Sequence, residues 1–411
     1  MTGPAESADE PIRSRLRLPG AADRVVLVVA LGILSAVSPL ATDMYLASMP
    51  HMAGYFDTSA TAVQLTLTTY MVGMALGQFL LGPISDVLGR HRLMVAGNLL
   101  FLLTSVAVVL APSIGMVIAL RAVQGVSGAA GVVIARAVVS DIATGRRAAK
   151  LFSVLASITS FAPVVAPLLG GVIATVAPWQ AVFWVLAGFG LLMLACSVLV
   201  VPETLPPARR HRGGLAAAAR NSWIVLRTPS FMAYAMTFAL AFGTLFSYIS
   251  ASSFVVQNVL GFSALAYSVV FAVNAGAAIL GALTNTRLVD RFAPASILRV
   301  AVTAMATVNV VGLVLIVSGI TGWSTLVHLF LNQLCHGFVL GNAIALAQSR
   351  VPGRAGAGSA VTGLLQFLMG GLVSPLTGLA GQHTAVPMAV LMAGCSTLAV
   401  GAAMAGQRLT R

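Results

Sequence analysis

Long apolar runs follow one another along most of this chain, and each is too long for a buried strand. A helix that crosses a bilayer needs about 20 mainly apolar residues. Only helices and closed barrels satisfy their backbone polar groups in lipid, and continuous runs of this length exclude barrel strands. The predicted spans, numbered 1 to 12, cover residues 25–48, 60–83, 93–111, 114–138, 150–174, 179–201, 231–254, 264–285, 297–319, 323–347, 356–381 and 385–406.

The composition agrees with a polytopic membrane protein. Hydrophobic residues make up 58% of the chain and charged residues only 8%, whereas a soluble domain has about 25% charged residues. The formal net charge of +13 would also suit a nucleic-acid-binding protein. The basic residues, however, lie mostly at the ends of apolar runs and form no patch with interleaved aromatics. We therefore expect a lipid bilayer as the partner and no nucleic acid.

The basic residues also predict the orientation. They lie in the amino-terminal tail and in alternate connections, examples being Arg13, Arg90, Arg146, Arg209 and Arg354. The intervening connections hold no Lys or Arg. Because cytoplasmic loops carry the excess of basic residues, we expect a multi-pass protein with both termini in the cytoplasm.

The longest connection, residues 202–230, is rich in Pro and Arg and divides the chain into six spans plus six. The predicted domains are a cytoplasmic tail (1–23), a six-helix bundle (24–201), this cytoplasmic linker, a second six-helix bundle (231–406) and a tail (407–411). The predicted fold is an all-α membrane protein of two pseudo-symmetric six-helix bundles. Where membrane transporters are built from two such repeats, the substrate site lies between the halves near the midplane.

The run GPISDVLGRHR, from Gly82 to Arg92, is a charged motif between spans 2 and 3. It resembles the major facilitator superfamily signature G-x-x-x-D-R-x-G-R-R/K, with Gly82, Asp86, Gly89 and Arg90 matching and Val87 where an arginine is usual. The resemblance implies the major facilitator fold and small-molecule transport.

We expect this motif to form a cytoplasmic gate. Asp86 is predicted to accept hydrogen bonds from backbone amides at the start of span 3 and to pair with Arg90. Asp141, at the inner end of span 4, is predicted to join them and to hold the outward-facing state. The alternative is a set of solvated interface charges.

Other segments resemble the Bcr/CflA-type drug-resistance transporters over nearly the whole chain. They are TDMYLASMP (42–50), VQLTLT (63–68), GMALGQ (73–78), ARAVVSD (135–141), FSYIS (246–250) and AGSAVTGLLQF (357–367). The resemblance implies a twelve-helix drug:proton antiporter of the bacterial inner membrane. Such proteins export small antibiotics and related metabolites.

Two charged residues lie deep inside predicted spans rather than at their inner ends, Asp43 in span 1 and Arg121 in span 4. A charge in lipid costs from about 2.5 kcal/mol upward, so such a residue is a functional candidate. At about 1.5 Å per residue, Asp43 lies ~8 Å and Arg121 ~10 Å from the outer ends of their helices. We predict that both take part in proton coupling. The alternatives are a static ion pair or an arginine bonded to carbonyls.

Span 5 contains APVVAPLLGG, from Ala162 to Gly171. Its second half resembles the antiporter motif G-P-x-x-G-G, with Ala166 in place of the first glycine. Proline kinks a helix and glycine allows close approach, so Pro163, Pro167, Gly170 and Gly171 are predicted to form a bendable seal between the halves. The alternative is ordinary small-residue packing.

Six polar residues within the spans are predicted to line the substrate cavity: Tyr45, Tyr70, Gln124, Asn274, His336 and Gln366. The alternative for each is a hydrogen bond between helices, worth about 0.6 kcal/mol on average. His336 is also a candidate second proton site, with a structural histidine as its alternative.

No nucleotide-binding loop, catalytic triad or metal-binding motif is present in the sequence. We expect no enzyme activity, no metal and no cofactor other than the proton gradient, in a chain that acts as a monomer. The leading hypothesis is proton-driven export of a small antibiotic. The rivals are a proton symporter that imports a metabolite and a membrane receptor or scaffold without transport.

Overall fold

The computed structural model describes residues 21–143, 145–206 and 214–410. Within these residues, twelve helices are long and apolar enough to cross a membrane, and no strand occurs. The all-α fold with twelve spans is therefore confirmed. Residues 1–20 of the predicted tail, 207–213 of the predicted linker and the final residue 411 lie outside the described part.

The spanning helices are numbered α1 to α12 in chain order. Helix α1 consists of Ala21–Ser35, Val37–Asp43, a 3-10 turn Leu46–Ser48, and Met49–Tyr55. It is followed by α2 (Ala60–Leu88), α3 (Arg90–Val109), α4 (Ile114–Ile142), α5 (Gly145–Val176) and α6 (Gln180–Leu199). A linker helix, Gly214–Leu226, leads to α7 (Pro229–Phe254, continued as a π-helix over Val255–Val259), α8 (Ala264–Leu288), α9 (Pro294–Val317), α10 (Trp323–Gln348), α11 (Ala355–Leu376) and α12 (Val386–Arg408).

The two halves repeat the same packing. Helix α2 packs on α4, and α3 on α6, just as α8 packs on α10 and α9 on α12. A methyl group at Gly125 in α4 would overlap the Tyr70 carbonyl oxygen in α2, and one at Gly281 in α8 would overlap the Leu334 carbonyl oxygen in α10. Small residues thus let the equivalent helix pairs approach closely in both halves.

The halves meet along α5 and α8 and along α2 and α11, and the linker helix packs on α2 and α11. Short turns join most successive spans, so the connections alternate between two ends of the molecule. We call the end that carries Arg90 and the linker helix the basic end, and the other end the opposite end.

Two helix boundaries differ from the predicted ones in ways that affect the site. Helix α1 continues to Tyr55, seven residues past the predicted end, so Asp43 lies roughly 18 Å along the helix from that end rather than ~8 Å. The charged motif is also mostly helical, because α2 runs to Leu88 and α3 starts at Arg90. Only Gly89 separates them.

Candidate functional site

Helix α1 is interrupted just after Asp43, and the sequence explains the interruption. Pro50 has no backbone N–H, so the Leu46 carbonyl lacks the donor that an α-helix would supply four residues later. The Ser48 amide bonds to the Tyr45 carbonyl at 2.9 Å, which closes a 3-10 turn. The Leu46 carbonyl accepts from the Met49 amide and, without a donor at Pro50, is also open to a donor from another helix.

Asp43 lies at the end of the regular segment before this interruption. Only 4% of its surface is exposed. A carboxylate this deep in a membrane-spanning helix is costly when ionised. Its position therefore combines burial with an interruption of the helix.

Arg121 on α4 is fully buried and binds α1 on both sides of Asp43. Its guanidinium donates to the Ala41 carbonyl at 2.9 Å and lies 4.7 Å from the centre of the Tyr45 ring. Among the described residues, no ion pair joins Arg121 to Asp43. In this conformation Arg121 is bonded to a carbonyl, and its part in proton coupling stays a prediction.

Three of the predicted cavity residues form the surroundings of Arg121. Gln124 accepts from Arg121 at 2.7 Å and donates to the Ser105 hydroxyl at 2.7 Å. The Tyr70 ring centre lies 4.3 Å from the guanidinium, and the Tyr45 hydroxyl shares a hydrogen bond with the hydroxyl of Thr66. Cation–π contacts of this kind stabilise a desolvated charge by about 2 kcal/mol.

The predicted cavity residues of the second half lie around α7. Asn274 on α8 donates to the Tyr248 hydroxyl at 3.1 Å. His336 on α10 shares a hydrogen bond of 2.7 Å with the hydroxyl of Thr244, while Gln366 on α11 is partly exposed. Asn274 and His336 therefore bridge helices in this conformation, and a role in substrate binding stays a prediction for all three.

The glycine pair of α5 contacts both halves of the molecule. A methyl group at Gly170 would overlap the Met44 carbonyl oxygen at the α1 interruption, and one at Gly171 would overlap the Ser268 hydroxyl on α8. Pro163 and Pro167 lie inside α5, which continues through both. The predicted antiporter motif is thus packed between α1 and the second half.

Side chains of α7 join the halves at the α1 interruption by binding backbone carbonyls of α1. Ser253 donates to the Leu46 carbonyl at 2.5 Å, and Gln257 donates to the Ala47 carbonyl at 3.1 Å. On α2, Gln64 donates to the Ser250 carbonyl at 3.2 Å. These bonds all join the two halves, and the sequence analysis did not identify them.

Arg90 organises the charged motif at the basic end. It pairs with Asp86 at 2.7 Å and with Asp141 at 3.2 Å, and it donates to the Ser85 hydroxyl. The predicted pairing of Arg90 and Asp86 is confirmed. These bonds all lie within the first half, so a gate between the halves stays a prediction.

The predicted acceptor for the backbone amide at the start of α3 was wrong. The Arg90 amide donates at 2.9 Å to Glu203, not to Asp86, and Thr204 donates to Asp141 at 2.8 Å. The segment after α6 therefore returns to the motif. Glu203 is the only acidic residue in the strongly basic stretch 202–230. This isolated acid was the sequence feature that could have indicated a contact with the motif.

The two glycines of the motif have different structural roles. Gly89 has φ 98° and ψ 155°, a backbone region essentially restricted to glycine. A methyl group at Gly82 would make only an ordinary contact, 3.8 Å from Val133. The turn between α2 and α3 therefore requires glycine at position 89 but not at position 82.

Comparison with known proteins agrees with this architecture. The sequence model of the Major Facilitator Superfamily matches residues 31–375, so the chain belongs to this family and is a transporter rather than an enzyme. It is 37% identical to "Uncharacterized MFS-type transporter YdgK" of Bacillus subtilis (strain 168), over 92% of this chain and 94% of that protein. It is 30% identical to "Bicyclomycin resistance protein homolog" of Haemophilus influenzae, over 91% and 94%.

A solved structure of the xylose transporter XylE from E. coli has the same fold. Its TM-score is 0.72 at 12% identity, over 92% of this chain and 97% of that one.

Proposed function

We propose that this protein is a proton-driven exporter of the Bcr/CflA type, which exchanges a small antibiotic or related metabolite for protons across the bacterial inner membrane. The observation that carries the proposal is the buried Asp43 at the α1 interruption, with Arg121 bound to the residues around it. A similarity to a protein named for bicyclomycin resistance supports an antibiotic as the substrate class. The basic end faces the cytoplasm by the positive-inside rule, and the monomer is the working unit.

In the proposed proton cycle, Arg121 exchanges a neutral hydrogen-bond acceptor for the Asp43 carboxylate. With Asp43 protonated, Arg121 stays on the Ala41 carbonyl and Gln124, as observed. When Asp43 releases its proton, the carboxylate attracts the guanidinium. A carboxylate carries a full opposite charge, which the Ala41 carbonyl and the Gln124 amide lack, so its added Coulomb attraction redirects Arg121 and pulls on α1.

The movement of α1 reaches the closure at the opposite end because the two share a backbone segment. The Leu46 and Ala47 carbonyls that bind Ser253 and Gln257 lie three and four residues after Asp43. A shift of Asp43 therefore strains bonds that hold the halves together. In this mechanism protonated Asp43 favours a closed opposite end, and deprotonated Asp43 favours an open one.

A vesicle assay separates the proposal from its rivals. Purified protein is reconstituted in vesicles that are acidic inside and contain a pH-sensitive dye, and bicyclomycin is added outside as the first of a panel of antibiotics. An antiporter takes the drug in while protons leave, so the lumen becomes alkaline. A symporter would not alkalinise the lumen, and a receptor or scaffold would neither transport the drug nor confer resistance when overexpressed.

A further inference from the structure

A groove opens on the surface of the second half between α8, α9 and α10, near the basic end. It encloses about 440 Å³, within the range of roughly 300–1,000 Å³ that is typical of ligand sites. The lining is almost wholly apolar, with Phe292, Val300 and Phe338 among its members. The side chains of Phe292 and Val300 are well exposed, so a ligand dissolved in the membrane has access to the groove without entering the path between the halves.

Basic residues lie beside the lining residues of this groove, at the basic end. Three lining residues are each directly preceded by an exposed arginine, in the pairs Arg287–Leu288, Arg291–Phe292 and Arg299–Val300. Asp290 lies in the same segment, so the three arginines and one aspartate leave residues 287–299 with a net charge of +2. Within the described residues, none of the three arginines belongs to an ion pair.

We propose that this groove binds one anionic phospholipid. One acyl chain lies against Val300, Ala304 and Phe338, and the phosphate lies beside Arg291 and Arg299 at the basic end. A basic pocket between helices at a membrane surface is suited to an acidic headgroup, and each nearby Arg strengthens binding by about fivefold. The bound lipid would join α9 to α8 and α10.

Only a ligand with both an apolar chain and an anionic group satisfies the whole site. A soluble phosphate ion would meet the arginines but leave the apolar groove unfilled. A zwitterionic lipid would fill the groove but carry no net negative charge to the arginines. The inference needs only that the basic end lies at a membrane surface, and it does not depend on proton coupling.

The test is native mass spectrometry of the full-length protein in detergent, with dioleoyl phosphatidylglycerol or dioleoyl phosphatidylcholine at equal concentration. We expect one phosphatidylglycerol per protein, bound at least about fivefold more tightly than phosphatidylcholine, and not displaced by excess inorganic phosphate. Arg291→Ala combined with Arg299→Ala should remove this preference. Arg354→Ala changes an exposed arginine outside the groove and should retain it.

A second pair of variants tests the apolar half of the site. Ala304→Phe fills the groove and should weaken binding of both lipids, whereas Thr303→Phe places the same bulk at the neighbouring exposed position outside the lining and should not. The proposal is overturned if the two lipids bind equally to the natural protein, if the preference for phosphatidylglycerol survives the arginine double variant, or if Ala304→Phe leaves the binding of both lipids unchanged.

Discussion

Gly170 lies so close to Met44 that a methyl group on this glycine would overlap the Met44 carbonyl oxygen. The contact places α5 directly against the α1 interruption, at the residue that follows Asp43. Backbone atoms cannot move aside as a flexible side chain can. The antiporter-like glycine therefore fixes the distance between the proposed seal and the proposed proton site.

Gly170→Ala tests this contact with the smallest possible change. Overpacking costs about 1–3 kcal/mol, so we expect drug efflux to fall by about tenfold or more, with an increased proton leak and retained drug binding. Gly188→Ala is the matched control, because a methyl group at this glycine of α6 meets no atom within 4 Å. Loss of drug binding without a proton leak would assign Gly170 to the substrate wall instead.

The variants Gly89→Ala and Gly82→Ala test whether transport depends on the backbone conformation of a motif glycine or only on its presence in the motif. Gly89 has a positive φ that costs another residue about 1–3 kcal/mol, whereas Gly82 is helical with room for a methyl group. We expect Gly89→Ala to slow transport several-fold and Gly82→Ala to leave it near normal, both with normal membrane insertion. Equal effects of the two variants on the transport rate would contradict this assignment.

Glu203→Gln tests how much the carboxylate that contacts the charged motif contributes to stability. Glu203 accepts from the backbone amides of Arg90 and Leu205, and a neutral acceptor makes bonds about half as strong as a charged one. We expect a loss of about 1–2 kcal/mol in stability, seen as a lower unfolding temperature in detergent. Asp290→Asn, which neutralises an exposed acid, should not change it. An unfolding temperature that is unchanged by Glu203→Gln would show that this bond is dispensable.

Ser253→Ala combined with Gln257→Leu should weaken the closure at the opposite end, because the Leu46 and Ala47 carbonyls lose their donors from α7. Spin labels at Gly54→Cys and Leu265→Cys, with the three natural cysteines replaced by alanine, report the distance between the halves. We expect a larger share of long distances in the double variant. Ser252→Ala is the control, because Ser252 bonds within the second half to Tyr267. Identical distance distributions would remove these bonds from the gating mechanism.

The sequence predicted the elements whose cause is local. Run length determines a spanning helix, and the i,i+4 spacing of Asp86 and Arg90 places their side chains on one helix face or across its end. Pro50 removes the donor that an α-helix would supply to the Leu46 carbonyl four residues later, but the side chain that also binds this carbonyl, Ser253, lies 207 residues away. No local pattern connects the two.

The orientation of side chains inside the bundle was also beyond the sequence. A helix that is apolar on all sides gives no periodic signal for its rotation. The bonds of Gln124 to Arg121 and Ser105 could therefore not be predicted, and its place in the substrate cavity stays a prediction. Likewise, the predicted distance of Asp43 from the outer end of α1 was too short. The helix resumes at Met49 after the 3-10 turn and continues to Tyr55.

The most direct test of the proposed mechanism is drug-dependent proton release from acid-loaded vesicles containing Asp43→Asn. The amide keeps the size of the side chain but fixes it in an uncharged form, so the drug can still bind but cannot be exchanged for a proton. Asp57→Asn, the same change in an exposed turn at the opposite end, is the control. The account predicts normal proton release with Asp57→Asn and none with Asp43→Asn at equal protein levels. Proton release and uphill efflux that persist in Asp43→Asn would contradict it, and would place the proton carrier elsewhere.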